Sequence, residues 1–172
     1  VLENTDYSEA IAQPFLADLA KRGALLTNFF AQGHPSQGNY IAMIAGSNLN
    51  VNSDRPVNLD GKHIGDLLEA KGLSWGVYAE DYPGNCFLGN ISALYVRKHN
   101  PFISFTNVQK SPARCARITG TDNFESDWKN GKLPNFSFYV PGLNDDGHDT
   151  GVGYADRWLS QKFGPLLSGP EM

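Results

Sequence analysis

Two short apolar runs, Trp75-Gly76-Val77-Tyr78-Ala79 and Phe136-Ser137-Phe138-Tyr139-Val140, set the terms on which this chain can fold. Each has the length of a strand, is rich in aromatic residues, and gives way to a polar stretch. Such a run buries its side chains inside a sheet whose faces are covered, and helix patterns supply the cover. Pro14 opens Phe15-Leu16-Ala17-Asp18-Leu19-Ala20-Lys21-Arg22, with Pro in the first turn and Gly23 as the stop. Ser36 is placed to cap a helix that runs through Ile41, Ala42, Ile44 and Ala45 to Gly46. Ile64 to Ala70 forms a short helix stopped by Gly72, and Tyr154 to Leu167 closes the chain with another. Strand character also marks residues 25–31 and Val1-Leu2, the latter as a strand without its upstream half. Residues 80–132 read as irregular, a long connection of the kind that tends to carry function. Strands alternating with helices imply an α/β fold with a largely parallel central sheet flanked by helices. A chain of 172 residues makes one domain with a real core, and is too short for two ordinary ones.

Charge narrows the functions available. The net charge is −4, and no basic run exceeds Lys21-Arg22 or Arg97-Lys98, which argues against nucleic acid or an anionic membrane as the main partner. No apolar stretch approaches the roughly 18 residues of a membrane span. A charged fraction of 19% beside 41% hydrophobic residues reads as globular rather than disordered. Two cysteines, Cys86 and Cys115, lie in loop-like surroundings, and a disulfide between them suits a secreted chain. The sequons Asn90-Ile91-Ser92 and Asn135-Phe136-Ser137 point the same way.

In parallel α/β sheets the site lies beyond the carboxyl ends of the strands. Glu3-Asn4, His34-Pro35-Ser36, Glu80-Asp81 and the run from Asn144 to Asp149 each follow a predicted strand. A serine at the first turn of a helix is well placed to attack phosphorus, because free amides and the helix dipole favour phosphoryl oxygens there. The competing reading is a serine that merely caps its helix. Glu3 and Asn4 offer hard oxygen donors suited to a divalent cation. Asn144-Asp145-Asp146-Gly147-His148-Asp149 places three carboxylates and an imidazole within six residues, a density that calls for a cation or a hydrogen-bonded turn. The spacing is not that of an EF-hand loop, and a solvated acidic turn is the alternative. His99 and His34 suit hydrogen-bond donation or proton transfer. His63, at a helix start, is given no chemistry. A serine hydrolase elbow of the Gly-x-Ser-x-Gly kind is absent around Ser36, which is flanked by Pro35 and Gln37.

Six segments together resemble the phosphoesterase family of secreted acid phosphatases and bacterial phospholipases C, within the alkaline phosphatase superfamily. They are Leu2-Glu3-Asn4, Leu25-Leu26-Thr27-Asn28-Phe29-Phe30, His34-Pro35-Ser36-Gln37-Gly38-Asn39-Tyr40, Trp75 through Glu80-Asp81-Tyr82-Pro83, Lys98-His99-Asn100-Pro101-Phe102, and Asn144 through His148-Asp149. The His-Pro-Ser and Lys-His-Asn-Pro forms resemble the acid phosphatase branch more closely. The resemblance implies an alkaline phosphatase-like sheet and a divalent metal ion, of unknown identity, on Glu3, Asn4 and Ser36. It implies Ser36 as nucleophile, with His99 and His148 around the phosphate and His34, Asn39 and Asp146 as substrate contacts. Asp146 and Asp149 would orient His148. The expected activity is hydrolysis of small phosphate monoesters through a phosphoserine, in a secreted protein. The alternatives are phosphodiester or phospholipase C-type hydrolysis, or a non-catalytic fragment without its full metal shell. The family pattern continues with a later strand ending in an acidic pair, so the chain reads as partial. A sulfatase is disfavoured, since the Cys/Ser-x-Pro-x-Arg context is missing at Ser36.

Overall fold

A strand whose side chains are all apolar must be covered on both faces, and Trp75–Ala79 meets that condition, buried at every position. In the computed structural model, which describes residues 1–168, the chain divides into two compact units. One is Phe30–Val140; the other joins Val1–Phe29 to Pro141–Met172. In chain order the helices are α1 (Tyr7–Ile11), α2 (Pro14–Arg22), α3 (Ser36–Ala45), α4 (Ile64–Ala70), α5 (Thr106–Gln109), α6 (Pro112–Cys115), α7 (Thr121–Lys129) and α8 (Val152–Leu167). The strands are β1 (Trp75–Ala79), β2 (Ile91–Ser92), β3 (Tyr95–Val96), β4 (Ile118–Gly120) and β5 (Phe136–Val140).

Within residues 30–140, β1 lies between β4 and β5 and pairs with both in parallel, Val77 opposite Ile118 and Phe138. The α/β class with a parallel central sheet is therefore present, and β2 and β3 add a small antiparallel pair. The core beneath the sheet is aromatic. Phe102 and Phe105 are fully enclosed, and Phe102 stacks on Trp75 at 4.7 Å between ring centres. Phe138 and Phe136 meet Phe102 at more open angles, and Ile41, Ile44, Val77 and Val140 fill the remaining space. Cys86 and Cys115 form a disulfide, tying the irregular connection to α6. That connection holds more order than its sequence suggested. Two short 3-10 turns, Arg97–His99 and Pro101–Ser104, pack against α3, and β4 and α7 follow them.

In the other unit, α2 packs on α8. Asp156 of α8 is buried, and its carboxylate accepts the backbone N–H groups of Phe15 and Leu16 at 3.3 and 2.8 Å. Those are first-turn amides of α2, which no carbonyl of their own helix can satisfy. A buried carboxylate and a helix start thus neutralise each other's need.

Two expectations need correction. Residues 25–31 form no strand, since they pair with none of the sheet's strands. A β run is stable only when a neighbour accepts its backbone hydrogen bonds. Leu26, Phe29 and Phe30 are instead left 67%, 76% and 75% exposed. Val1-Leu2 is likewise not a strand.

His63 serves the fold at the start of α4. It caps α4, its Nδ1 accepting the N–H of Gly65 at 3.1 Å while Asp66 accepts the N–H of His63 at 2.9 Å. With Nδ1 an acceptor, Nε2 carries the proton and donates to Asn107 Oδ1 at 3.2 Å. A side chain at Gly65 would meet His63 and Trp75 ring atoms at 2.7–2.9 Å, so glycine is required there. Burial among Trp75, Phe102 and Phe105 holds the His63 pKa below its ordinary value, against the opposing pull of Asp66. Arg114, bonded to both Asp66 and Glu69, is the nearby cation. A histidine kept neutral on folding adds stability that is complete above its unfolded pKa, near 6.5, and is lost as pH falls toward the folded value. Asp66 and Glu69, both held below the usual carboxylate range, extend the loss to lower pH. Thermal melts should therefore show Tm falling from pH 7 to pH 5. His63→Asn, a non-titrating cap, should flatten that interval, and an unchanged slope would refute the assignment.

Candidate active site

The first turn of α3 carries Ser36, the expected nucleophile, and the structure shows how that turn is held. Ser36 is the first helical residue, one step beyond the cap position expected for it; Pro35 occupies the cap and brings no side-chain bond. The orphan amides of this helix must then be satisfied from elsewhere. Asp54 does this for Gln37, accepting its backbone N–H on Oδ1 at 3.0 Å. The Gln37 side chain, buried, donates to the carbonyls of Ser53 and Arg55 at 2.7 and 2.8 Å, on either side of Asp54. Gly38 sits so close to the same loop that a Cβ would lie 2.6 Å from Val51 O. The helix start and the 51–55 loop are thus locked face to face.

Asn39 braces the approach to Ser36 from the other side. Its Oδ1 accepts the N–H groups of Gln32 and Gly33 at 2.8 and 3.2 Å, and its Nδ2 donates to Gly33 O at 2.8 Å. A role for Asn39 in substrate contact rests on the second Nδ2 hydrogen. His34 is exposed, next to this brace. One turn into α3, Tyr40 stacks on His99 with ring centres 4.7 Å apart and planes 13° from parallel; both rings are buried. The neighbouring Lys98 donates to Asp54 Oδ2 at 2.9 Å. Ser36, Asn39, His34 and His99 therefore belong to one unit, with Asp54 and Lys98 added by the structure.

Glu3, Asn4, Asp146, His148 and Asp149 belong to the other. Here Glu3 donates its backbone N–H to Asp146 O at 2.9 Å. Asn4 takes a left-handed backbone at φ 71°. Asp146 is buried, and its Oδ1 accepts the N–H of His148 at 2.7 Å. The His148 ring, partly exposed, meets Asp149 Oδ1 through Nδ1 at 2.6 Å. That contact fixes the ring's orientation. Gly147, at φ 95° and with Ala155 Cβ 3.1 Å from where its own Cβ would be, allows the tight turn that aligns these groups. The acidic run is thus a hydrogen-bonded turn as well as a cluster of charge.

Among the described residues no three His, Cys, Asp or Glu side chains gather as a cation site. Glu3 and Asn4 bring two hard oxygen donors, fewer than the roughly six a calcium or magnesium ion takes. An ion that keeps several of its waters needs few protein donors, so Glu3 and Asn4 fit a divalent cation by donor type. Among the described residues, too, no helix is long and apolar enough to cross a membrane.

The sequence is similar to known phosphatases along most of its length. It is 39% identical to a probable acid phosphatase of Kluyveromyces lactis over 96% of this chain and 42% of that protein. It is 38% identical to an acid phosphatase of Aspergillus fumigatus, over 97% of this chain and 39% of the relative. A phosphatidylinositol-3-phosphatase of Mycobacterium tuberculosis matches 86% of the chain at 31% identity, across 48% of its own length. The chain thus spans about two fifths of the length of these fungal relatives and about half of the bacterial one. The sequence profile of the Phosphoesterase family matches residues 5–172, and the chain belongs to the phosphoesterase family.

Proposed function

We propose that this chain carries the nucleophile and phosphate-handling residues of a phosphate monoester hydrolase. The observation that carries the reading is Ser36 at the first turn of α3, in a turn braced by Asn39 on one side and Asp54 on the other. A phosphoryl group placed over that turn meets the positive end of the helix dipole. Ser36 Oγ attacks phosphorus in line, forming the Oγ–P bond as the bond to the ester oxygen breaks. The Ser36 hydroxyl gives up its proton as the Oγ–P bond forms and the leaving ester oxygen takes one up, so the alcohol departs neutral; a part for His148 in that transfer is the expectation from the family resemblance. Water then attacks the phosphoserine, releasing orthophosphate and restoring the hydroxyl. His99 serves by its stack on Tyr40, which fixes the helix face next to the attacking residue.

A divalent cation on Glu3, Asn4 and Ser36 is the expectation from the family resemblance; when bound, it would supply positive charge for the phosphoryl oxygens. Emission analysis of the purified chain measures it, and no step above depends on it. A secreted setting belongs to the same reading, supported by the Cys86–Cys115 disulfide and the exposed sequon residue Asn90. Removal of N-linked sugar from the secreted chain by an endoglycosidase checks that setting.

The relatives named acid phosphatase support a monoester substrate. Turnover of an aryl phosphate, measured beside a choline phospholipid with and without added divalent cations, tests the proposal. Faster release from the phospholipid would favour the phosphodiester reading. No turnover of either, with no metal bound, would favour a non-catalytic chain.

A further inference from the structure

The carboxylate of Asp54 stands in an unusual place for a phosphate-handling site. It accepts the Gln37 amide at the start of α3, so it lies beside the turn that presents Ser36. A negative charge near a helix N-terminus is favourable in itself. The same charge repels the phosphoryl group that this turn would receive. Lys98 resolves the conflict: its ammonium donates to the second Asp54 oxygen at 2.9 Å, with the Lys98 side chain only 16% exposed. The backbone around each partner is also fixed. Gln37 grips the carbonyls on both sides of Asp54, and His99, next to Lys98, stacks on Tyr40 of the same helix.

We propose that Asp54 and Lys98 form a positioning pair for the reaction at Ser36, Asp54 holding the Ser36 turn through Gln37 N–H and Lys98 cancelling the charge that this anchor introduces. The role rests on the reading of Ser36 as the attacking residue. The two partners have separable effects. Asp54 acts on geometry, and a small misplacement of an attacking group lowers kcat by about 10- to 100-fold. Lys98 acts on the local field, which sets the local concentration of an anionic substrate and therefore appears in KM.

Three variants of the full chain, assayed with an aryl phosphate and by thermal melting, test the pair. Asp54→Ala removes the anchor and should lower kcat by about 10- to 100-fold. Asp54→Asn keeps a carbonyl acceptor for Gln37 N–H while deleting the charge. It should recover most of kcat and lower KM, because Lys98 is then left for the phosphate. Lys98→Met leaves the Asp54 charge uncompensated and should raise KM about tenfold with kcat near wild type. Opposite movement of KM in Asp54→Asn and Lys98→Met is the signature a purely structural clamp would not give. Variants that change only Tm, with kcat and KM as in wild type, overturn the pair's role while leaving Ser36 in place. A wild-type chain that neither turns over aryl phosphate nor binds orthophosphate by titration calorimetry overturns the reading of Ser36 and this inference together. If Asp54→Ala fails to fold, the other two variants decide the matter.

Discussion

Ser36→Ala should abolish turnover of an aryl phosphate, by roughly 10³- to 10⁶-fold, the range seen when a covalent nucleophile is deleted. The prediction is sharp because catalysis and folding separate at this position. Ser36 is the first residue of α3 and not its cap, so alanine, a strong helix former, suits the site. Tm should fall by no more than the loss of one side-chain hydrogen bond allows, about 1 kcal/mol. A rapid-quench experiment adds an independent readout. Wild-type protein mixed with an aryl phosphate should release a burst of alcohol and hold acid-stable phosphate on the chain; the variant should do neither. Turnover unchanged in Ser36→Ala, with Tm intact, would remove the phosphoserine route. A loss of both activity and Tm would show that Ser36 matters to the fold, contrary to the placement described above.

Phe102→Ala should produce the largest loss of stability, about 3–5 kcal/mol on the scale of buried aromatic truncations. Phe102 is fully buried, and its ring touches Trp75, His63, Phe136 and Phe138. Removing it opens a cavity that a rigid set of rings cannot close by small shifts. The stacked geometry with Trp75 adds about 1 kcal/mol beyond area burial. Chemical denaturation checks the figure, read from the midpoint at constant m. A loss under about 1.5 kcal/mol would mean that the neighbouring rings collapse into the space. The consequence reaches function as well, since Phe102 lies in the 3-10 turn that follows His99 in sequence and packs, with it, against α3.

Several features of this protein were legible in the residues alone. The strands Trp75–Ala79 and Phe136–Val140 and the helix Ile64–Ala70 were read from local patterning, because apolar runs, helix stops and propensity act over a few residues. The parallel α/β sheet followed from the alternation of those elements. The pairing of Cys86 with Cys115 was the simple choice for two cysteines, and the disulfide is present. Family membership was carried by short motifs in order along the chain. Residues 25–31 show where this reasoning stops: their composition favours a strand, but a strand exists only in the company of another. The short β4 and the helix α7 lie inside a stretch whose Pro and Gly residues read as loop.

Asp54 marks the same boundary at the candidate site. The sequence around it reads only as a polar loop rich in Asn, Asp, Ser and Pro. Pro35 at the cap of α3 was a usable signal, since a helix begun without a capping side chain needs acceptors for its first amides. It tells that an acceptor must exist, and not which residue provides it. Asp54 and Gln37 are 17 residues apart, and Lys98 and Asp54 are 44 apart. Contacts at such separations leave no period or propensity in the chain. The sequence by itself determined the His-Pro-Ser motif in which Ser36 stands and the runs that make a parallel sheet. Tertiary packing alone decided that His63 is a neutral cap, that His99 lies flat on Tyr40, and that Asp54 and Lys98 flank the serine turn. Local chemistry is written in neighbouring residues, whereas burial, pairing and charge compensation depend on which distant segments the folded core brings together.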